Sequence, residues 1–305
     1  MPDGGFQAID KVKVPFANYD IVVYFGVGIA SLPFVNRYVL DGGKSKFPSL
    51  FTAFDDPIIN TTISIVALIF ATYILGHGIA ILAGSFIEQF VFQTVGQPSR
   101  FIADVAKAHS EPGHMRRMIK QSLKKSYRNH PKFIDLARLA FHIPAIPIYL
   151  MMYWIGFYDF YESKISSYII LRVQSRLERC FDYPSQIFSD TRWFKIVEYS
   201  CANDHPVALS RMYNYLVIYG LFRSTSFLLL CCVWCEWFYF FDRGGLGFFD
   251  PRGSGYLSIR LAIVYSSYLI SLIGYMKFSR RYTEEATLAF ALSKVFDISG
   301  STKAA

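Results

Sequence analysis

Apolar positions in this chain gather into long blocks, unlike the narrow stripes of a soluble helix. A membrane-spanning helix needs about 20 apolar residues. Four stretches approach that requirement: residues 19–40, 57–93, 211–241 and 255–278. The first contains Pro33 and Arg37, and Arg37 lies close enough to the end to snorkel. The second is longer than a crossing needs. Its first half, IINTTISIVALIFATYILG, is expected to span, and its second half to project into water or lie in protein.

Residues 140–161, AFHIPAIPIYLMMYWIGFYDFY, are also apolar enough to cross, but Pro144 and Pro147 each remove a helix hydrogen bond. If this stretch crossed, the basic segment before it and the KFSRRY segment after the last span would lie on opposite faces. Cytoplasmic loops carry the excess of Lys and Arg, so a re-entrant or interfacial hairpin is expected instead. Next comes a stripe of Ile165, Ile169, Val173, Leu177 and Cys180, flanked by Arg172, Arg176 and Arg179. Such a helix suits a membrane surface with snorkelling arginines, or packing against its own chain.

These patterns predict an all-α polytopic membrane protein of about four transmembrane helices with a helical cytoplasmic middle region. Residues 1–18 form an N-terminal cytoplasmic tail, and 19–93 a first transmembrane hairpin with a cytoplasmic helix extension. Residues 94–210 form a cytoplasmic or interfacial helical region, 211–278 a second hairpin and 279–305 a cytoplasmic tail. The N-terminus is polar and shows no cleavable signal segment, so the first apolar run is expected to stay as a helix.

Composition supports this reading. Hydrophobic residues make up 53% of the 305, and charged residues only 18%, against about 25% in soluble domains. The net charge of +8 is concentrated. Residues 97–138 hold ten Lys and Arg against three acids. Within that segment Arg116, Lys120 and Lys124 recur at helical spacing, a face suited to anionic lipid headgroups. A cytoplasmic protein partner is a second candidate, and nucleic acid is disfavoured. The five cysteines match no zinc spacing and read as free thiols.

The chain carries no HExxH, GxSxG or phosphate-loop motif. No metal site and no cofactor are expected. Candidate chemistry rests on isolated polar residues within apolar runs. His77 and Glu88 are eleven residues apart, about three turns, so they share a face with Ile81 and Gly84. They suit a packing seam or an ion path, and are too far apart along the axis to touch. Arg223 and Glu236 lie inside the third run, where a charge is costly unless it meets protein or water. Glu236 is close enough to the outer boundary to be wet. Arg223 either snorkels or pairs, with Glu88 and Glu284 as its candidate partners. Glu198 and His205 lie beside Asn203, Asp204 and Pro206, a grouping that reads first as a helix start.

The segments YDIVVYFGVGIASLPF, GHGIAILAGSFIEQFVFQTVGQPSR, YNYLVIYGLFRSTSF and YMKFSRRYTEEATLAF resemble an uncharacterised family of bacterial polytopic inner-membrane proteins. The resemblance implicates His77, Glu88, Arg223, Arg281 and Glu284 as a polar signature and brings no activity with it. The function expected is that of an oligomeric channel-like or membrane-effector protein in the inner membrane, with both termini cytoplasmic. Two alternatives are a membrane enzyme acting on a lipid-linked substrate through His142, His205 or Glu198, and a scaffold that anchors a cytoplasmic partner.

Overall fold

The computed structural model describes residues 19–35, 57–105, 133–155, 165–181, 192–242 and 254–293. Those residues are almost entirely helical, and no strand occurs among them. Helix α1 is Asp20–Phe34, a π-helical stretch followed by an α-helical one. Helix α2 runs through Pro57–Ala83, a π-helical turn at Gly84–Glu88, and Gln89–Thr94. Helix α3 is Pro98–Val105, α4 is Phe133–Phe141, and α5 is Ile146–Ile155. Helix α6 is Ser167–Phe181 and α7 is Arg192–Asp204. Two long helices, α8 (Pro206–Asp242) and α9 (Ser254–Leu292), pack against each other over the largest interface in the fold.

Among the described residues three helices are long and apolar enough to cross a membrane: Thr61–Arg100, Pro206–Phe238 and Ile259–Leu292. The pair α4 and α5 makes a fourth if it is one broken span. The first expected span is different. Its described part, Asp20–Phe34, is shorter than the roughly 20 residues a crossing needs.

Residues 140–155 bend where the prolines fall. The chain turns by 46° between Phe133–Phe141 and Ile143–Ile155. Pro144 sits in a short 3-10 turn, and Pro147 in the first turn of α5, where its missing N–H costs nothing. A break inside an apolar environment leaves carbonyls that need donors. Trp234 of α8 donates from Nε1 to the Phe141 carbonyl (2.8 Å), and the Tyr265 hydroxyl of α9 donates to that of Pro144 (2.6 Å). Arg138 donates from Nε to the Ser85 carbonyl of α2 (2.7 Å), and His142 from Nε2 to that of Phe86 (3.0 Å).

Helix α1 meets α2 backbone to backbone. A β-carbon on Gly28 would overlap the carbonyl of Thr72, and one on Gly76 would overlap that of Tyr24. Only glycine permits that approach, a common device between apolar helices. It brings Tyr24 over the next residue of α2, His77. At the other end of α2, Gly96 has φ 107° and turns the chain into α3.

Two hydrophobic cores follow. The first joins α1, α2, α5, α8 and α9 through Val27, Ile87, Met152, Leu230 and Tyr275. The second joins α3, α6, α7 and the end of α9 through Ile102, Val173, Leu177, Trp193 and Phe290. The second half of residues 57–93 lies in protein, with Ile87, Phe90 and Val91 buried. The last helix does not end at residue 278. It continues to Leu292 because Ala286, Phe290 and Ala291 are buried in the second core. The arginine-flanked stripe becomes α6, packed against α9. Arg176 does not snorkel: it is 2% exposed and donates to the carbonyls of Phe290 and Ser293 at the end of α9.

Candidate functional site

Four elements converge on one polar cleft of about 480 Å³. Helix α2 supplies His77, Ser85 and Glu88, α1 supplies Tyr24, α4 supplies Arg138, and α8 supplies Arg223. Ile81, 69% exposed, forms one lip, so the cleft opens on the outside of the bundle. Two π-helical stretches contribute to its wall: Asp20–Gly26 carries Tyr24, and Gly84–Glu88 carries Ser85 and Glu88. A π turn inside an α-helix is rare and recurs at functional sites.

At one end, the His77 ring stacks on Tyr24, with centroids 3.7 Å apart and planes at 28°. Tyr73 meets the same ring edge-on at 4.4 Å. His77 Nδ1 lies 3.2 Å from the Tyr73 carbonyl oxygen, an acceptor, so that nitrogen is the donor in this contact. At the other end, Arg223 Nη1 forms an ion pair with Glu88 Oε2. Its guanidinium carbon lies 5.5 Å from the centroid of the Tyr219 ring, within cation–π range. Arg223 Nη1 also donates to the Tyr219 hydroxyl (3.4 Å), which donates to Glu88 Oε1 (3.5 Å). The three residues close a triangle.

A second cavity of about 230 Å³ touches the same triangle. Glu88 lines this cavity as well as the cleft, and Tyr219, Glu198, Ser99, Ser279 and Tyr282 line this cavity with it. Tyr282 donates its hydroxyl to Glu198 Oε1. This cavity sits where the ends of α2 and α3 meet α7, α8 and α9, between the two cores.

His77, Glu88 and Arg223, singled out from the sequence, therefore line one cleft. Glu284 does not join them. Its carboxylate faces Arg280 Nε and Arg281 Nη1 of its own helix, each at 3.6 Å. Glu236 was expected to be wet, but it is 2% exposed and ion-paired with Arg260. Arg116, Lys120 and Lys124 lie outside the described residues. His142 has both ring nitrogens engaged: Nε2 with Phe86, and Nδ1 with the Tyr149 hydroxyl at 2.5 Å. Its ring stacks on Phe90 at 3.8 Å. Pro206 opens α8, while the Asp204 carboxylate accepts from the Ser200 hydroxyl at 3.2 Å. His205 Nε2 is buried without a hydrogen-bond partner among the described residues. No contact among the described residues joins His142, Glu198 and His205 into one site.

Sequence reasoning missed Tyr24, Arg138, Tyr219 and Tyr282. Tyr219 had a signal, since it lies four residues before Arg223 and so shares its face. Arg138 looked like the end of a basic run, and nothing local marks Tyr24. Among the described residues no group of three or more His, Cys, Asp or Glu side chains is placed to hold a metal ion. Compared with family models, with curated proteins and with solved structures, the chain matches none of them.

Proposed function

We propose that this is a channel-like membrane protein with a polar path through its helical bundle, constricted at the Glu88–Arg223–Tyr219 triangle. The observation that carries the reading is that Glu88 lines both the open cleft and the inner cavity. A carboxylate and a guanidinium, 18% and 13% exposed, form the barrier between them. A salt bridge in that place holds two hydrated spaces apart while it is closed and joins them when it opens. Each partner meets its opposite charge in the closed form, so the default state is shut.

The rest of the reading follows physical preference. Residues 97–138 carry their excess positive charge beside a span, which favours the cytoplasmic side of an inner membrane for that segment and both termini. Few helices surround the cleft, and its open side would be covered if copies associate, so the working unit is an oligomer.

Reconstitution into liposomes tests the core of the proposal. The wild-type protein is expected to conduct slowly. Glu88→Gln, which removes the ion pair and keeps the shape, is expected to raise ion flux several-fold. Wild-type and Glu88→Gln vesicles that both stay as tight as protein-free ones would reject conduction.

A further inference from the structure

The inner cavity has an uneven charge. Its wall contains two carboxylates, Glu88 and Glu198, and no Lys or Arg. Glu88 is neutralised across the triangle by Arg223. Glu198 receives only the neutral hydroxyl of Tyr282, and among the described residues no basic side chain pairs with it. Other carboxylates of the long helices have an arginine: Glu236 has Arg260, and Glu285 has Arg211. The cavity is therefore lined by one carboxylate with no opposite charge beside it among the described residues, in a half-enclosed space that favours entry of a cation.

Two largely buried serines in the same wall point the same way. Ser99 is 6% exposed, lines the cavity, and has no hydrogen-bond partner for its hydroxyl among the described residues. Ser279, 9% exposed, lines it too, and its hydroxyl likewise has no partner among them. A hydroxyl that faces the cavity without a partner is open to a ligand, and hydroxyl and carboxylate oxygens together are the ligands that hard cations prefer. Phe92, Phe194 and Tyr219 also line the space, and aromatic rings attract cations as well.

We infer that this cavity binds one small monovalent cation, held by the Glu198 carboxylate with the Ser99 and Ser279 hydroxyls. One net negative charge calls for one positive charge, and the volume of 230 Å³ admits an alkali ion with part of its water or a small organic ammonium. The inference deepens the conduction reading, from which it takes its role: it names the class of ion waiting behind the triangle. Tyr282, donating to the same carboxylate, holds it in place while the site is empty.

Direct binding tests the site without requiring conduction. The full-length protein in mild detergent is titrated separately with radiolabelled rubidium and radiolabelled tetramethylammonium. Saturable binding of one probe is expected, and which probe binds tells an alkali-ion site from an organic-ammonium site. Glu198→Gln keeps the shape and the acceptor for Tyr282 but removes the charge, so affinity should fall at least tenfold with the melting temperature little changed. Tyr282→Phe keeps the charge and should retain binding, which separates a lost ligand from a misfolded variant. Absence of saturable binding by both probes, or equal binding by wild type and Glu198→Gln, overturns the inference. Glu198-dependent binding in a protein that conducts nothing would leave the site standing and remove the conduction reading. Conduction without any binding would do the reverse.

Discussion

The two cores of this molecule treat buried arginine in opposite ways. In the first, Arg223 is answered by a carboxylate and a phenol, inside helices whose outer faces are apolar. Ile65, Leu68, Ile69, Phe70 and Ile74 of α2 all face outward, as do Ile259, Ile263 and Ile270 of α9. In the second, Arg176 is answered by backbone carbonyls at the end of α9. Its surroundings carry exposed charges such as Arg179, Arg192 and Lys195 beside exposed Tyr168 and Leu171. The first core is apolar outside and polar at its centre, the order a bilayer rewards. The second has the ordinary order with a mixed outer face. Arg223 therefore ties α8 to α2 across the cleft wall, the place where the proposed path would close, while Arg176 ties a helix end.

The comparison breaks most readily at Arg223. Arg223→Ala leaves the Glu88 carboxylate buried without its cation, a loss of about 3–5 kcal/mol for a buried pair. Removing Glu88 as well, as Glu88→Gln, should restore part of that loss, and Arg223→Lys should rescue only partly because it lacks the planar fork. Thermal unfolding in detergent of the two single variants and the double variant measures the coupling. A coupling near zero would mean the two side chains do not depend on one another, and the triangle would lose its role as a barrier.

The equivalent change in the second core should be of comparable size at most and should have no such rescue. Arg176→Ala removes hydrogen bonds from a charged donor, each worth about 1.5–3 kcal/mol. The carbonyls left behind belong to the terminal turn of α9, which can rearrange to meet water. Hydrogen exchange should rise around residues 286–293 and stay unchanged at residues 77–88. Loosening of α2 by Arg176→Ala would show that the two cores unfold as one unit.

Much of the first core could be read from the sequence, because a charge inside an apolar run has few explanations. That logic singled out Arg223, and helix geometry put His77 and Glu88 on one face. Of the two carboxylates named for Arg223, Glu88 pairs with it. Glu284 stays with Arg280 and Arg281, which lie four and three positions earlier on its own helix and so need no tertiary structure to reach it. The second core was harder to read. KFSRRYTEE looks like the end of a span, and hydropathy alone stops the helix there. Burial of Ala286, Phe290 and Ala291 against α6 and α7 carries it on to Leu292. The same partner explains Arg176, which has the spacing of a snorkelling residue until α9 is placed beside it. Tyr24 reaches the cleft only through the Gly28 and Gly76 contacts, a tertiary fact with no local signal.

The smallest effect concerns thiols, and it separates a buried from an exposed position within the second core. Cys180 is exposed at the end of α6, while Cys201 of α7 is fully buried and donates from Sγ to the Ala286 carbonyl at 3.2 Å. Burial pushes the Cys201 thiol up from its ordinary value of 9.0 to about 12, because the thiolate would lose its water. The thiolate is the reactive form. With Cys231, Cys232 and Cys235 replaced by alanine, a thiol reagent at pH 8 should label Cys180 rapidly and Cys201 only after unfolding. The linkage has a definite sign. A folded-state value above the unfolded one means that the folded state holds its proton more tightly. The contribution of Cys201 to stability is therefore full below about pH 9 and is lost as the pH rises toward 12. Between those limits Cys201→Ala should become progressively less destabilising relative to the parent. A difference between the two proteins that stays constant from pH 8 to pH 11, or labelling of native Cys201 as fast as Cys180, would show that α7 does not seal against α9 and that the second core is more open than its packing implies.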